Sequence, residues 1–186
     1  MTAVAKTHLH ALYAAGDDPW DFRTSAYEQQ KFNATVAALA RQSYASGLEI
    51  GCGNGELARH IAPRCASYTG VDAVGKALHA ARRAVPKGRF VHAFFPCELP
   101  GGPHDLIILS EVLYFFDRPS ILMLGQQITR RWREAEIVVV TWLGPSGNLL
   151  EGEAALALFT TATSSVLTAV PIARTSGYRI DRFLAS

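Results

Sequence analysis

Glu49-Ile50-Gly51-Cys52-Gly53-Asn54-Gly55-Glu56 decides how the rest of the chain reads. An apolar entry at Leu48 and Ile50 runs into three glycines on alternate positions, and Glu56-Leu57-Ala58-Arg59-His60-Ile61 then takes up a helical period. A strand, a tight turn and a helix start follow in that order. Glycines let the backbone adopt positive φ and let a ligand approach with no Cβ in the way, while the free N–H groups of the helix N-terminus face the same crevice. The turn is suited to a nucleotide-like ligand.

Spacing narrows the choice. The dinucleotide fingerprint G-x-G-x-x-G needs its third glycine where this chain has Glu56, which disfavours a dehydrogenase. The order here is G-x-G-x-G with Glu49 two residues before the first glycine, and it resembles motif I of class I S-adenosylmethionine-dependent methyltransferases. Asp72 closes the next apolar run, Tyr68-Thr69-Gly70-Val71, where an acid at the C-terminal end of a strand can bond both ribose hydroxyls. An ordinary glycine-rich turn with an acid placed by chance is the plain alternative; the succession strand, turn, helix, strand, acid weighs against it.

Working outward, 186 residues with 49% hydrophobic content predict one domain with a single large core, residues 1–44 forming a helical lid and residues 45–186 a Rossmann-like core. The net charge is +2, and the densest basic pairs, Arg82-Arg83 and Arg130-Arg131, fall on expected helices as solvated faces, so nucleic acid is a poor substrate candidate. Cys52, Cys65 and Cys97 are odd in number and lack C-x-x-C spacing, which fits reduced thiols in a cytoplasm rather than a disulfide frame or a zinc site. No basic-then-apolar leader and no membrane-length apolar run is visible. The six histidines offer no ligating pair, His8 and His10 pointing apart on a helix, so no metal is expected.

Short apolar runs alternate with helical patterns beyond the glycine turn, which predicts an α/β three-layer sandwich with a doubly wound, mostly parallel seven-stranded sheet. Strands are expected near Leu48–Gly51, Tyr68–Asp72, Arg89–Ala93, Asp105–Leu109, Ile137–Trp142 and Tyr178–Leu184, and helices over Glu56–Ala62, Gly75–Ala84, Ser120–Arg133 and Leu149–Thr161. Leu106-Ile107-Ile108-Leu109 and Ile137-Val138-Val139-Val140 lack alternation, as central strands covered on both faces do. The last strand does alternate, with Ile180 against Asp181 and Arg182, and reads as an antiparallel edge strand entered by a turn at Ser176-Gly177 from a short partner around Pro171–Thr175. Ahead of the turn, a short helix spans Ala3 to Ala15. After Asp17-Asp18-Pro19, a second begins at Ser25, with Glu28 completing a capping box, and runs to about Tyr44.

With that order in place the chain resembles a narrower family, the nodulation-type (NodS-like) N-methyltransferases, from Asp18 to about Leu184. The resemblance is carried by Asp18-Pro19-Trp20, by Thr24-Ser25-Ala26-Tyr27-Glu28 with Lys31, by the Glu49–Gly55 turn, and by Asp105-Leu106-Ile107-Ile108-Leu109-Ser110-Glu111-Val112-Leu113-Tyr114. It implies an N-terminal segment folded over S-adenosylmethionine, with contacts from Trp20, Arg23, Tyr27 and Lys31, and further contacts from Glu49, Gly51, Gly53, Gly55, Asp72, Ala73, Phe95 and Ser110. An aromatic face suits a sulfonium cation, and a phenol and an ammonium suit the carboxylate of the methionine moiety. Trp20 could equally staple a helix to the core, and Tyr27 and Lys31 could form a solvated i, i+4 pair.

Ser110 and Glu111 stand at the carboxyl edge of the most buried strand, where ligands bind in such sheets, and Glu111 could position an amine or take its proton; Tyr114 could wall the acceptor pocket. A Ser/Glu pair that merely opens a loop is the alternative. The chain departs from the family in Thr141-Trp142, where His-Trp is usual, and in Leu156 behind Gly152-Glu153, where a second histidine is usual. Phe95 takes the place of an acid that many class I enzymes direct at the adenine amino group. The expected activity is methyl transfer from S-adenosylmethionine to an amine of a small or sugar-like metabolite. Transfer to an alcohol and a non-catalytic, partner-stabilising role are the alternatives.

Overall fold

In the computed structural model, which describes residues 4–186, seven strands form one sheet. They are β1 (Tyr44–Ile50), β2 (Cys65–Asp72), β3 (Arg89–His92), β4 (Leu106–Ser110), β5 (Glu136–Trp142), β6 (Leu167–Arg174) and β7 (Tyr178–Ala185), in the order β3-β2-β1-β4-β5-β7-β6. The ladders from β3 across to β5 are parallel, and β7 runs antiparallel to both β5 and β6. The unalternating run of β4 has a direct cause. Leu106 and Ile108 pack with Val138 and Val140 against Phe32, Leu57 and Ile61 on one face. Ile107 and Leu109 pack with Ile137 and Val139 against Ile121, Leu124 and Phe159 on the other. Both faces are dry, so neither register position can be polar.

The helices that supply those faces are α2 (Ala26–Ala37) and α3 (Glu56–Ile61) on the first, and α5 (Arg118–Arg131) and α6 (Gly152–Thr163) on the second. A further helix, α4 (Gly75–Ala84), packs against β3 through Leu78, Ala81 and Phe90. The first helix, α1 (Lys6–Leu12), buries none of its own residues; Tyr13 at its end is the anchor, packed on Val74 and Ala77. Ala3, the expected start of this helix, and Met1, the start of the expected lid, lie outside the described residues. No described helix is long and apolar enough to cross a membrane.

Three expectations are corrected. The second helix ends at Ala37 instead of running to Tyr44, because Tyr44 is drawn into β1, where its buried hydroxyl donates to Glu136 Oε2 at 2.6 Å. Only half of the capping box forms: Ser25 Oγ accepts from the Glu28 N–H at 3.3 Å, but the Glu28 carboxylate turns to Lys31, and Ser25 N–H goes to the Asp21 carbonyl. The final strand is antiparallel but internal, lying between β5 and β6. Its alternation mimics an edge strand because Asp181 is polar, yet Asp181 is buried and held by Arg179 through two bonds of 2.6 and 2.7 Å. The edge is β6, longer than expected, and it carries the marks of one: Pro171, a register shift between Pro171 and Ala173, and exposed Val170 and Ile172.

Candidate cofactor and acceptor site

The sheet order turns back at β1, with β2 on one side and β4 on the other, and the crevice beyond their carboxyl ends is where an α/β sheet of this kind takes its ligand. A cavity of about 400 Å³ lies there, walled by the turn after β1, the ends of β2 and β4, and the segment from Val4 to Phe32.

The three glycines of the turn are all in the left-handed region, with φ of 78°, 52° and 82° at Gly51, Gly53 and Gly55, but they serve different neighbours. A Cβ on Gly51 would lie 2.5 Å from Val112, and one on Gly55 would lie 2.8 Å from the Ala81 backbone of α4. Gly55 is therefore a packing glycine, not a ligand-facing one. At Gly53 a Cβ would meet only the Tyr13 hydroxyl, at 3.2 Å, so this is the position where the backbone stands open to the cavity.

Asp72, at the end of β2, holds the turn. One carboxylate oxygen accepts from Gly53 N–H at 2.9 Å and the other from Val74 N–H at 2.8 Å. Each keeps lone-pair capacity for a second donor, such as a ribose hydroxyl. Burial raises the Asp72 carboxyl, against the pull of these backbone donors. Glu49, only 1% exposed, accepts from the Tyr68 hydroxyl at 2.7 Å; burial pushes its carboxyl up to about 8, and Asp72 adds to the rise. Ala73 lines the cavity beside Asp72, its carbonyl 2.8 Å from His92 Nε2. Phe95 also lines it, its ring centroid 5.0 Å from that of Phe116. Burial pushes the Cys52 thiol well up, so this cysteine of the turn is an unreactive wall.

At the β4 end, Ser110 and Glu111 line the cavity as expected from their place on the strand. Glu111 has φ 52°, a strained value for a residue with a side chain, and the sharp turn there sends its carboxylate to Lys31 Nζ at 2.5 Å. Lys31, 2% exposed, also reaches Glu28, at 2.8 Å. Burial works against the Lys31 charge, but the two carboxylates outweigh it and raise the ammonium. Burial lifts the Glu111 carboxyl, with Lys31 opposing and Glu28 adding to the rise, as expected where two carboxylates share one cation. Tyr114 lines the same end, its phenol raised by burial and by the charges of Glu111 and Glu28.

Of the four N-terminal residues singled out from the sequence, Trp20 and Lys31 reach the cavity and Arg23 and Tyr27 do not. Trp20 stacks on Phe22 at 5.4 Å and meets Tyr13 edge-on. Arg23 is turned away to Asp17, at 2.7 Å, and Glu56, at 3.2 Å. Tyr27 packs edge-on against Trp142 and Tyr178. Sequence reasoning missed Tyr13 as a wall, Glu28 as the third member of the charged cluster, and the tie between Asp18 and Asn54. Asp18 Oδ1 accepts from Asn54 Nδ2 and from Phe22 N–H, both at 2.9 Å, which fastens the Asp18-Pro19-Trp20 turn to the glycine turn. The signal was present in Asp18 and Asn54 being short polar residues in two turns, but nothing local says that the turns meet. Among the described residues no group of three or more potential ligands gathers to hold a metal.

The pattern of the Nodulation protein S (NodS) family matches residues 4–130, well over half of the chain. The chain belongs to the NodS family. NodS relatives include Nodulation protein S of Sinorhizobium fredii, 26% identical over 83% of this chain and 68% of that protein. Nodulation protein S of Bradyrhizobium diazoefficiens is 35% identical, over 62% of this chain and 57% of its own length. The match to the latter thus leaves over two fifths of that relative uncovered. Among solved structures, N-methyltransferase NodS from Bradyrhizobium japonicum WM9, in complex with S-adenosyl-L-homocysteine, superposes with a TM-score of 0.82 at 19% identity, over 97% of this chain and 98% of that one. The likeness extends across the whole sheet and establishes the methyltransferase fold.

Proposed function

We propose that this chain binds S-adenosylmethionine in the cleft and methylates an amine of a small metabolite. The observation that carries this reading is the placement of two acids on either side of the open glycine turn: Asp72 at the end of β2 with lone pairs to spare, and Glu111 beyond β4 at the other end of the same cavity. NodS of known structure, described as an N-methyltransferase and bound to S-adenosyl-L-homocysteine, supports the same assignment. The fit is good on this chain's own residues. Gly53 leaves room at the backbone, Asp72 lines the cavity with lone pairs that ribose hydroxyls could fill, and Phe95 and Trp20 offer aromatic faces. The bound group would supply a methyl activated by a sulfonium centre, open to in-line displacement.

What the chain contributes is alignment and a proton acceptor. Lys31 occupies Glu111 Oε2, which fixes the carboxylate and leaves Oε1 for an acceptor nitrogen. A carboxyl raised by burial accepts a proton from an ammonium more readily than an exposed one, and the amine lone pair is then free. Tyr114 and Trp142 wall the same end. Once donor and acceptor are aligned, such a displacement needs little further acid or base help, so Thr141 and Leu156 in place of the family histidines are compatible with activity.

Calorimetry with S-adenosyl-L-homocysteine, S-adenosylmethionine and NAD tests the cofactor: binding of the first two and not of NAD is expected, and binding of NAD alone would overturn the reading. Asp72→Ala should weaken S-adenosyl-L-homocysteine by about 2–3 kcal/mol, the loss of a charged acceptor in a desolvated site, and wild-type affinity in that variant would remove Asp72 from the site. Mass spectrometry of a metabolite extract incubated with labelled S-adenosylmethionine should show the label on an amine; label on an oxygen alone would replace the acceptor class.

A further inference from the structure

Glu28 stands three residues after Ser25, the spacing of a capping box, yet its carboxylate is not spent there. The turn before α2 satisfies its own donors: Ser25 N–H goes to the Asp21 carbonyl at 2.8 Å, and Asp18 accepts from the Phe22 and Arg23 N–H groups at 2.9 and 3.0 Å. Glu28 is thereby released to line the cavity, three residues before Lys31 on the same helix. Its Oε1 accepts from Lys31 Nζ at 3.0 Å, and its Oε2, buried and without a hydrogen bond of its own, lies 2.8 Å from the same nitrogen. Both oxygens of Glu28 therefore flank an ammonium that contacts Glu111 at Oε2 alone.

Lys31 has three N–H donors on a flexible stem and is shut away from water. A buried ammonium facing one carboxylate alone settles into a neutral pair, with donors spread over both oxygens. That arrangement would cover Glu111 Oε1, the oxygen left for the acceptor. Two carboxylates around one cation keep a net negative charge instead. We propose that Glu28 is a positioning residue of methyl transfer: by holding Lys31 it restricts the ammonium to one oxygen of Glu111 and leaves the other charged and open to the acceptor nitrogen. This rests on the proposed function, in which Glu111 takes the proton. The titratable groups that face Glu111 are Lys31, Glu28 and Tyr27 of α2 and Tyr114 of the turn behind it. Burial raises the Glu111 carboxyl, Lys31 pulls it down and Glu28 pushes it up again, so removing the Glu28 charge lowers it.

The test is the pH dependence of label transfer from S-adenosylmethionine to amines of the metabolite extract, in wild type, Glu28→Gln and Glu28→Asp. Glu28→Gln keeps the shape and loses the charge. Its plateau rate should fall about tenfold, and the acid limb of its profile should move to lower pH, because Glu111 then gives up its proton more readily and accepts one less well. Glu28→Asp keeps the charge and should regain part of the plateau. Affinity for S-adenosyl-L-homocysteine should stay at the wild-type value in both variants. Carboxyl-carbon NMR of protein saturated with S-adenosyl-L-homocysteine, with the Glu111 signal assigned by its loss in Glu111→Gln, reads the same change without an acceptor: the Glu111 midpoint should lie lower in Glu28→Gln. A wild-type rate and acid limb in Glu28→Gln, or a loss of rate with the acid limb and the Glu111 midpoint unmoved, would overturn the proposal and leave the cofactor assignment standing. No label on any amine with wild-type protein that binds S-adenosyl-L-homocysteine would overturn the proposed function and this proposal with it.

Discussion

Gly53 and Gly55 are two residues apart, share the left-handed backbone region and differ in what stands in front of them. Any side chain at either position costs about 1–2 kcal/mol of backbone strain. At Gly55 the new Cβ also meets the Ala81 backbone at 2.8 Å, so α3 and α4 must move apart. Gly55→Ala should lower the unfolding free energy by about 2–4 kcal/mol in urea titrations. Gly53→Val should lower it less and yet abolish binding of S-adenosyl-L-homocysteine. If both variants lose binding only in proportion to lost stability, the turn is structural and the ligand sits elsewhere. Glu49 is the other decisive residue. Its carboxyl moves from an ordinary 4.5 to about 8 because it is buried without a cation, so between those values the folded chain holds a proton that the unfolded chain has released. Stability should therefore fall as pH rises from about 4.5 to about 8, by at most about 1.4 kcal/mol per pH unit, and level off above. Urea titrations of wild type and Glu49→Gln at pH 5.5 and 7.5 isolate this effect: the loss of stability between the two pH values should be smaller in the variant, and an equal loss in both proteins would mean that Glu49 does not titrate in that window.

At the scale of elements, α1 is the segment with least to hold it. None of its residues is fully buried; Leu9 and Leu12 pack against Tyr13, Val74 and Ala77, and Lys76 Nζ donates to the Tyr13 and Ala14 carbonyls at 2.9 and 3.1 Å. The turn that follows is fastened more firmly, with Asp17 on Arg83 at 2.7 Å and Asp18 on Asn54. Helices with so little buried surface open readily, and a ligand can close them. Hydrogen exchange over Lys6–Leu12 should slow on adding S-adenosyl-L-homocysteine, while amides of Phe22 and Arg23, already bonded to Asp18, should change little. Equal exchange in α1 with and without ligand would mean a preformed layer and no lid. Periodicity announced that α1 exists and that it is short; whether the Gly16-Asp17-Asp18-Pro19 stretch swings freely depended on Arg83 and Asn54, which lie far along the chain.

For the molecule as a whole, the two antiparallel ladders of β7 make the end of the chain part of the core. Phe183 is fully buried and meets Phe159 of α6 edge-on, ring centroids 5.3 Å apart. Phe183→Ala should cost about 3–5 kcal/mol by urea denaturation, the loss expected of a core position, where an edge position would lose about 1 kcal/mol or less. A small change would return β7 to the periphery. What the sequence by itself determined is what local pattern can carry: the apolar runs of β4 and β5, the glycine turn with its helix start, the acid closing β2, and through the succession of these the fold and the cofactor class. These are encoded within a few residues, because strand period, positive φ and strand-end polarity are properties of neighbours in the chain. Only the tertiary structure decided that β7 is internal, that Tyr44 belongs to a strand, that Gly55 serves helix packing, that Arg23 and Tyr27 turn away from the cleft, and that Lys31 spends its charge on Glu28 and Glu111. Each of those outcomes depends on which partner arrives from tens of residues away. A charge or an aromatic ring has many partners that would satisfy it equally well, and only the packed sheet and its helices fix which one is within reach.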